Sequence, residues 1–217
     1  MDSLCFLFYN TAMTAILEPP KSVEAPLESM PLLESIRFSP LELMRFSGER
    51  YDELWRLGLI TSDDRVELLN GQIVRKPEMN PPHLYTLSDL HTRILFQFYN
   101  RAVVLNQSTI FLPQDGRPDP DIALLKLGTP RDRLPLPEDI DLIIEVSDST
   151  VARDRETKLA LYARDNIIEY WIVNLAQRQL EVYRQPDGLR YGSSFTVKDG
   201  SPTACLAFPN DLIAWAV

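Results

Sequence analysis

The stretch Leu142-Ile-Ile-Glu-Val146 restricts the fold of this chain more than any other. A short apolar run of this kind reads as a strand buried on both faces, yet it carries the carboxylate of Glu145 inside it. An ionised carboxylate left unpaired in a core costs several kcal/mol. The fold must therefore bring a cation to this point, and the candidates are a metal ion or Lys158 on the element that follows.

The surrounding pattern supplies the frame. Asp121–Leu127 and Ile140–Val146 read as strands separated by Gly128–Pro137, whose prolines keep it out of regular structure. Asp154, Lys158 and Tyr162 recur every four residues, so they share one face of a helix over residues 153–164. Asn166 suits the left-handed position that closes such a helix. Glu169–Asn174 is then a buried strand, and Gln179–Tyr183, a Pro186-Asp-Gly188 turn and Arg190–Val197 form an antiparallel meander. Leu206–Val217 closes the chain with an apolar segment.

Upstream, Ser47 is placed to cap a helix whose Tyr51, Leu54 and Trp55 share a face and which ends at Gly58. Arg65–Leu69 and Gln72–Lys76 flank Asn70-Gly71, the strongest short hairpin signal, because both turn residues tolerate positive φ. Leu84, Leu87, Leu90, Ile94, Leu95 and Phe98 mark one face of a long helix over residues 83–100. Ala102–Leu105 and Ser108–Leu112 read as further strands. The order describes an α/β domain with a mixed sheet over residues 38–217. Residues 1–37, with a Pro-, Glu- and Ser-rich stretch and no sustained periodicity, read as a flexible tail, with a natural translation start at Met13 as an alternative to Met1.

Several functions are excluded or disfavoured. The net charge of −9 argues against holding nucleic acid through a broad basic surface, so any such contact must be local or helped by metal ions. No run approaches the roughly 18 apolar residues that a membrane span needs. Cys5 and Cys205 have neither disulfide-framework nor metal-site spacing, which points to the cytoplasm. Eight glycines, none clustered, exclude a phosphate-cradling loop. His83 and His91 lie about 12 Å apart along one helix, too far to share a metal, and read as helix-start or surface residues.

Asp121 and Glu145 remain, 24 residues apart on neighbouring strands. Hard cations take carboxylate oxygens, and a phosphate completes their shell. Each residue alone has a plainer reading: Asp121 beside Pro120 as a turn or cap, Glu67 as the solvent face of the hairpin, Lys158 as a solvated helical lysine. Lys126 is a rival cation, five residues along the Asp121 strand and directed away from the acids.

Joined, Pro120-Asp121, Glu145-Val-Ser147, Asp154-x3-Lys158-x3-Tyr162-Ala163 and Glu169-Tyr-Trp-Ile-Val173 resemble the PD-(D/E)XK, or restriction-endonuclease-like, superfamily, and within it the Uma-type endonucleases. The hairpin Val66–Val74 and His83 fit the same group. The resemblance implies a mixed β-sheet flanked by α-helices, with Asp121 and Glu145 as Mg²⁺ or Mn²⁺ ligands and Glu67 as a further acidic ligand. In the superfamily pattern a lysine lies two residues after the second acid, where this chain has Ser147. The resemblance implies that Lys158 takes over, positioning the attacking water and stabilising charge on the phosphate. It further implies an endonuclease acting on DNA, with Asp121, Glu145 and Lys158 catalytic, working as a homodimer. The alternative is a nuclease-fold binding or assembly module without turnover.

Overall fold

The computed structural model describes residues 43–215; the expected tail, the Met13 start and Cys5 lie outside them. Helix α1 (Gly48–Arg56) begins where Ser47 Oγ accepts the Arg50 N–H, and its C-terminus passes through Leu57 to Gly58 at φ +68°. Strands β1 (Val66–Leu69) and β2 (Gln72–Arg75) pair through Asn70 and Gly71, at φ 51° and 76°, the backbone of a type I′ turn. Helix α2 (Pro81–Gln97) starts with two prolines in its first turn, and Asn80 Oδ1 accepts the His83 N–H at 3.1 Å.

Six strands follow in a second sheet: β3 (Ala102–Asn106), β4 (Ile122–Lys126), β5 (Ile140–Ser147), β6 (Glu169–Asn174), β7 (Gln179–Asp187) and β8 (Arg190–Lys198). They lie side by side in sequence order, and every neighbouring pair is antiparallel except β5 and β6. A parallel pair requires a crossover. Here it consists of α3 (Val151–Arg153), one π-helical turn (Asp154–Lys158) and α4 (Leu159–Arg164), closed by Asn166 at φ 60°.

Both β5 and β6 are buried throughout, and the period-2 alternation of side chains divides the core into two layers. Leu142, Ile144 and Val146 join Leu90, Ile94 and Phe98 of the α2 segment on one side. Ile143 joins Leu161 and Tyr162 of α4 and Ile172 of β6 on the other. Glu145 lies at the same parity as Ile143, and Tyr162 of α4 donates to it.

A buried arginine fastens the hairpin to this frame. Arg117 is 2% exposed, forks onto Asp52 through Nε at 2.9 Å and Nη2 at 2.8 Å, and stacks on Phe111 at 4.0 Å. Its backbone exchanges hydrogen bonds with Leu68 of β1 in both directions. Gly48 leaves room for the guanidinium, since a Cβ there would stand 2.6 Å from Nη2.

Three expectations fail locally. Ser108–Leu112 is not a strand: Ile110 and Leu112 are buried, but their N–H groups go to Pro118 and Gly116 in an irregular path. The following stretch contains Pro113, Pro118 and Pro120, which lack the donors a ladder needs. On α2, Leu84 and Leu95 are exposed, so the buried stripe narrows to Leu87, Leu90 and Ile94 and continues into Phe98. In the last hairpin β7 runs on through Pro186 and Asp187, which pair with Tyr191 and Arg190, so the expected turn keeps Gly188 but narrows to it and Leu189.

The crossover is tied to β7 by Arg155, whose Nε and Nη2 reach the two Glu181 carboxylate oxygens at 2.8 and 2.5 Å. Burial works against ionisation of Glu181, but Arg155, Asn174, Tyr183 and Gln179 outweigh it and hold the carboxyl at about 2. A depressed acid contributes its stability above the unfolded value near 4.5 and loses it as pH falls toward about 2. Glu181→Gln is therefore expected to lower unfolding free energy by roughly 1–3 kcal/mol at neutral pH. The deficit should shrink below about pH 4, as urea denaturation across that window would measure.

Candidate active site

The antiparallel register runs Ala123↔Ile143 and Ile122↔Ile144, so the next step carries Asp121 level with Glu145. Asp121 Oδ2 accepts the Val146 N–H at 2.8 Å, and its Oδ1 accepts Gln107 Nε2 at 3.3 Å. Two residues from opposite ends of a proline-rich connection are thus fixed by sheet pairing at one strand end.

Lys158 reaches the same place from the crossover. Its Nζ donates to Glu145 Oε1 at 2.8 Å and lies 3.7 Å from Glu67 Oε2. Tyr162 Oη donates to the same Glu145 oxygen at 2.9 Å. Glu67, from β1, is 1% exposed, and its Oε2 accepts the Asp119 N–H at 3.2 Å. The solvent-face reading of Glu67 is therefore wrong. Hairpin residues alternate as expected, but Arg117 holds the hairpin against the domain, so both faces of β1 are covered.

The π turn sets the register of Lys158. Leu159 N–H bonds Asp154 O, five residues back, and Tyr170 Oη donates to that same carbonyl at 3.3 Å. Asp154 Oδ2 accepts Ser147 Oγ at 2.6 Å and Thr150 Oγ1 at 2.8 Å. Ser147 therefore anchors the turn that presents Lys158. Lys126 lies apart, donating to Glu138 O at 2.6 Å.

Electrostatics separate the two strand-end acids. Burial would raise Asp121, but His83, Lys158 and the Val146 N–H outweigh it and hold the carboxyl below the usual carboxylate range. For Glu145 burial wins over the pull of Lys158, and nearby Asp121 and Asp154 add to it, pushing the group up to about 8. Burial also opposes the charge on Lys158, yet Glu145, Glu67 and Asp154 together raise its proton affinity above that of a free lysine. A lysine held this way is a fixed cation and hydrogen-bond donor.

These side chains line a cleft of about 590 Å³. Its wall carries seven carboxylates, including Glu67, Asp121, Glu145 and Asp154, against four cations, Arg65, Lys76, Arg153 and Lys158. By spacing alone His83 reads as a helix-start or surface residue, although it also fits the family resemblance. The structure puts its ring in the cleft, with Nε2 buried, 3.5 Å from Asp121 Oδ2 and without a hydrogen-bond partner among the described residues. Its position three residues after the Asn80 cap was the available signal.

The donor set suits a hard cation bound with few protein ligands. Among the described residues no three His, Cys, Asp or Glu side chains form a ready-made metal cage. Mg²⁺ needs none, because it keeps several waters and is usually held by one or two carboxylates plus phosphate oxygens. Asp121 offers an ionised carboxylate, no described residue bonds Glu145 Oε2, and His83 Nε2 stands beside them, 3.5 Å from Asp121 Oδ2.

Residues 49–216 match the family model Uma2, described as "Putative restriction endonuclease". None of the curated proteins matches the chain. Among solved structures, a protein from Anabaena variabilis, described as "a putative nuclease belonging to DUF820", superposes with a TM-score of 0.61 at 16% sequence identity. The match covers 78% of this chain and 94% of that one, and at this identity it speaks for the fold alone. No helix among the described residues is long and apolar enough to cross a membrane.

The buried pair has unequal halves. Lys158→Met leaves Glu145 and Glu67 without their cation and should cost roughly 3–5 kcal/mol. Glu145→Gln removes a carboxylate that burial already disfavours while Lys158 keeps Glu67, so its stability should stay within about 1 kcal/mol of wild type or exceed it. Chemical denaturation of both variants checks the asymmetry.

Proposed function

The chain belongs to the Uma2 family, and from that premise we propose that it is a metal-dependent endonuclease hydrolysing phosphodiester bonds in DNA. The observation that carries the reading is the meeting of Asp121, Glu145 and Lys158 at one strand end inside a cleft. Mg²⁺ or Mn²⁺, held by Asp121 and Glu145, would draw charge from the phosphate and acidify the attacking water.

The protein's own side chains do the rest. Lys158, held protonated by three carboxylates, is unsuited to act as a base. It serves as a positively charged donor to a phosphate oxygen and to the water, where stabilisation of developing charge counts most. Glu67 and Tyr162 fix its partners: Glu67 Oε2 braces Nζ, and Tyr162 Oη orients Glu145. Glu67 is thus better placed to hold the lysine than to lead in binding metal, although its second oxygen can still face an ion. His83 orients Asp121 or adds a nitrogen ligand. The excess of carboxylates in the cleft gives the metal a second task, since a phosphodiester meets net negative charge there until divalent ions neutralise it. Two copies of the chain, one per strand, would cut a duplex.

A second reading keeps the fold without turnover. Ser147 in the superfamily's lysine position and the acidic cleft favour it, and it predicts a chain that binds no Mg²⁺ at millimolar concentration.

Calorimetric titration with Mg²⁺ and Mn²⁺, followed by cleavage assays on single-stranded and duplex DNA, separates the two. The nuclease reading expects cleavage that depends on divalent metal and falls by at least about a thousandfold in Asp121→Asn, Glu145→Gln and Lys158→Met. Glu145→Gln is the informative one, because a variant as stable as wild type that has lost activity locates function rather than fold. Absence of cleavage of any nucleic acid with either ion overturns the reading.

A further inference from the structure

Two arginines in the cleft remain unpaired although carboxylates surround them. Arg153 Nε is buried without a hydrogen-bond partner, and Nη1 makes only a 3.4 Å contact to Arg75 O. Arg65 donates through Nη2 to Pro77 O, and neither arginine forms an ion pair among the described residues. A buried donor left open costs about 1–3 kcal/mol unless something bonds it.

Arg65 also sits at φ 50°, a left-handed backbone that Asn or Gly adopts more cheaply. Both arginines meet at the open end of the β1–β2 hairpin. The Lys76 N–H bonds Arg65 O at 2.7 Å, and Arg153 reaches the neighbouring Arg75 carbonyl. Lys76, the third cation there, is held at 2.5 Å by Asp119, which keeps its ammonium on the cleft wall.

We propose that Arg65 and Arg153, with Lys76 beside them, form an anion subsite that grips a nucleic-acid backbone phosphate next to the one cut at Asp121 and Glu145. The inference rests on the nuclease reading of the cleft. Guanidinium forks match phosphate oxygens in geometry and charge, and such contacts position a strand without reading its bases. They also give an acidic chain the local basic contact that its overall charge withholds. Arg153 precedes the π turn and Lys158 ends it, so the grip on the strand and the catalytic lysine are set by one piece of backbone.

The test uses the full chain with a fluorescently labelled single-stranded DNA oligonucleotide, in Ca²⁺ to block turnover, with anisotropy read across a salt series. Arg153→Gln and Arg65→Asn are each expected to weaken binding roughly tenfold and to flatten the slope of log affinity against log salt by about 0.7 for each phosphate no longer neutralised. Mn²⁺ affinity should stay unchanged. Arg65→Asn relieves the left-handed strain, so its melting temperature should equal or exceed wild type, which keeps the test valid if Arg153→Gln folds poorly. Wild-type affinity and slope in Arg65→Asn overturn the subsite, as does an equal loss in the control Arg190→Gln on β8. Absence of oligonucleotide binding by the wild type also overturns it. Hydrolysis of bis(p-nitrophenyl) phosphate, which has no neighbouring phosphate to grip, reports on the nuclease reading separately. Binding without hydrolysis leaves the subsite standing and removes the enzyme.

Discussion

The 2.8 Å contact between Lys158 Nζ and Glu145 Oε1, sealed inside the domain, is the interaction on which the other parts depend. Lys158 cannot keep its charge there without a carboxylate beside it. The hairpin brings Glu67 to share the lysine, Tyr162 donates to the same glutamate oxygen, and the π turn fixes the length of the reach. Replacing such a pair with well-packed apolar residues commonly stabilises a protein. This pair lines a cleft, beside a second carboxylate held ionised, which is where a core built only for stability would place neither.

Much of this was legible because it rests on local rules. Glu145 within Leu-Ile-Ile-x-Val announced a buried charge in need of a partner. The Asn-Gly turn fixed the β1–β2 register, and the spacing of Asp154, Lys158 and Tyr162 put them on one side of the crossover. What stayed hidden depends on contacts between distant segments. Glu67 looked amphipathic because nothing in Val-Glu-Leu-Leu reveals that Arg117 will fasten the hairpin down, with Lys158 and the Asp119 N–H against this side chain. His83 looked superficial because its burial is imposed by a strand end nearly forty residues later. Ser108–Leu112 had the composition of a strand, but prolines downstream withheld the partner donors.

Ser147 shows how a missing residue can be misread. Judged by pattern it is a gap where a lysine belongs, but its hydroxyl holds Asp154, and Asp154 holds the turn that delivers Lys158. On the proposed reading, the role is divided between a residue that anchors and a residue that reaches. The acidity of the chain is likewise redistributed: three cations gather at the open end of one hairpin, while most of the cleft wall stays negative.

The π turn makes the site depend on counting. A helix advances about 100° per residue, and the widened turn acts as one inserted residue in an otherwise regular crossover. Removing a single residue between Val151 and Lys158 would let the helix close into an ordinary α-helix, still amphipathic and still able to cover the sheet. The lysine would then face elsewhere. On the proposed reading, loss of one residue from this turn would separate a poised cleft from an inert one, with almost no mark on hydrophobic pattern or length.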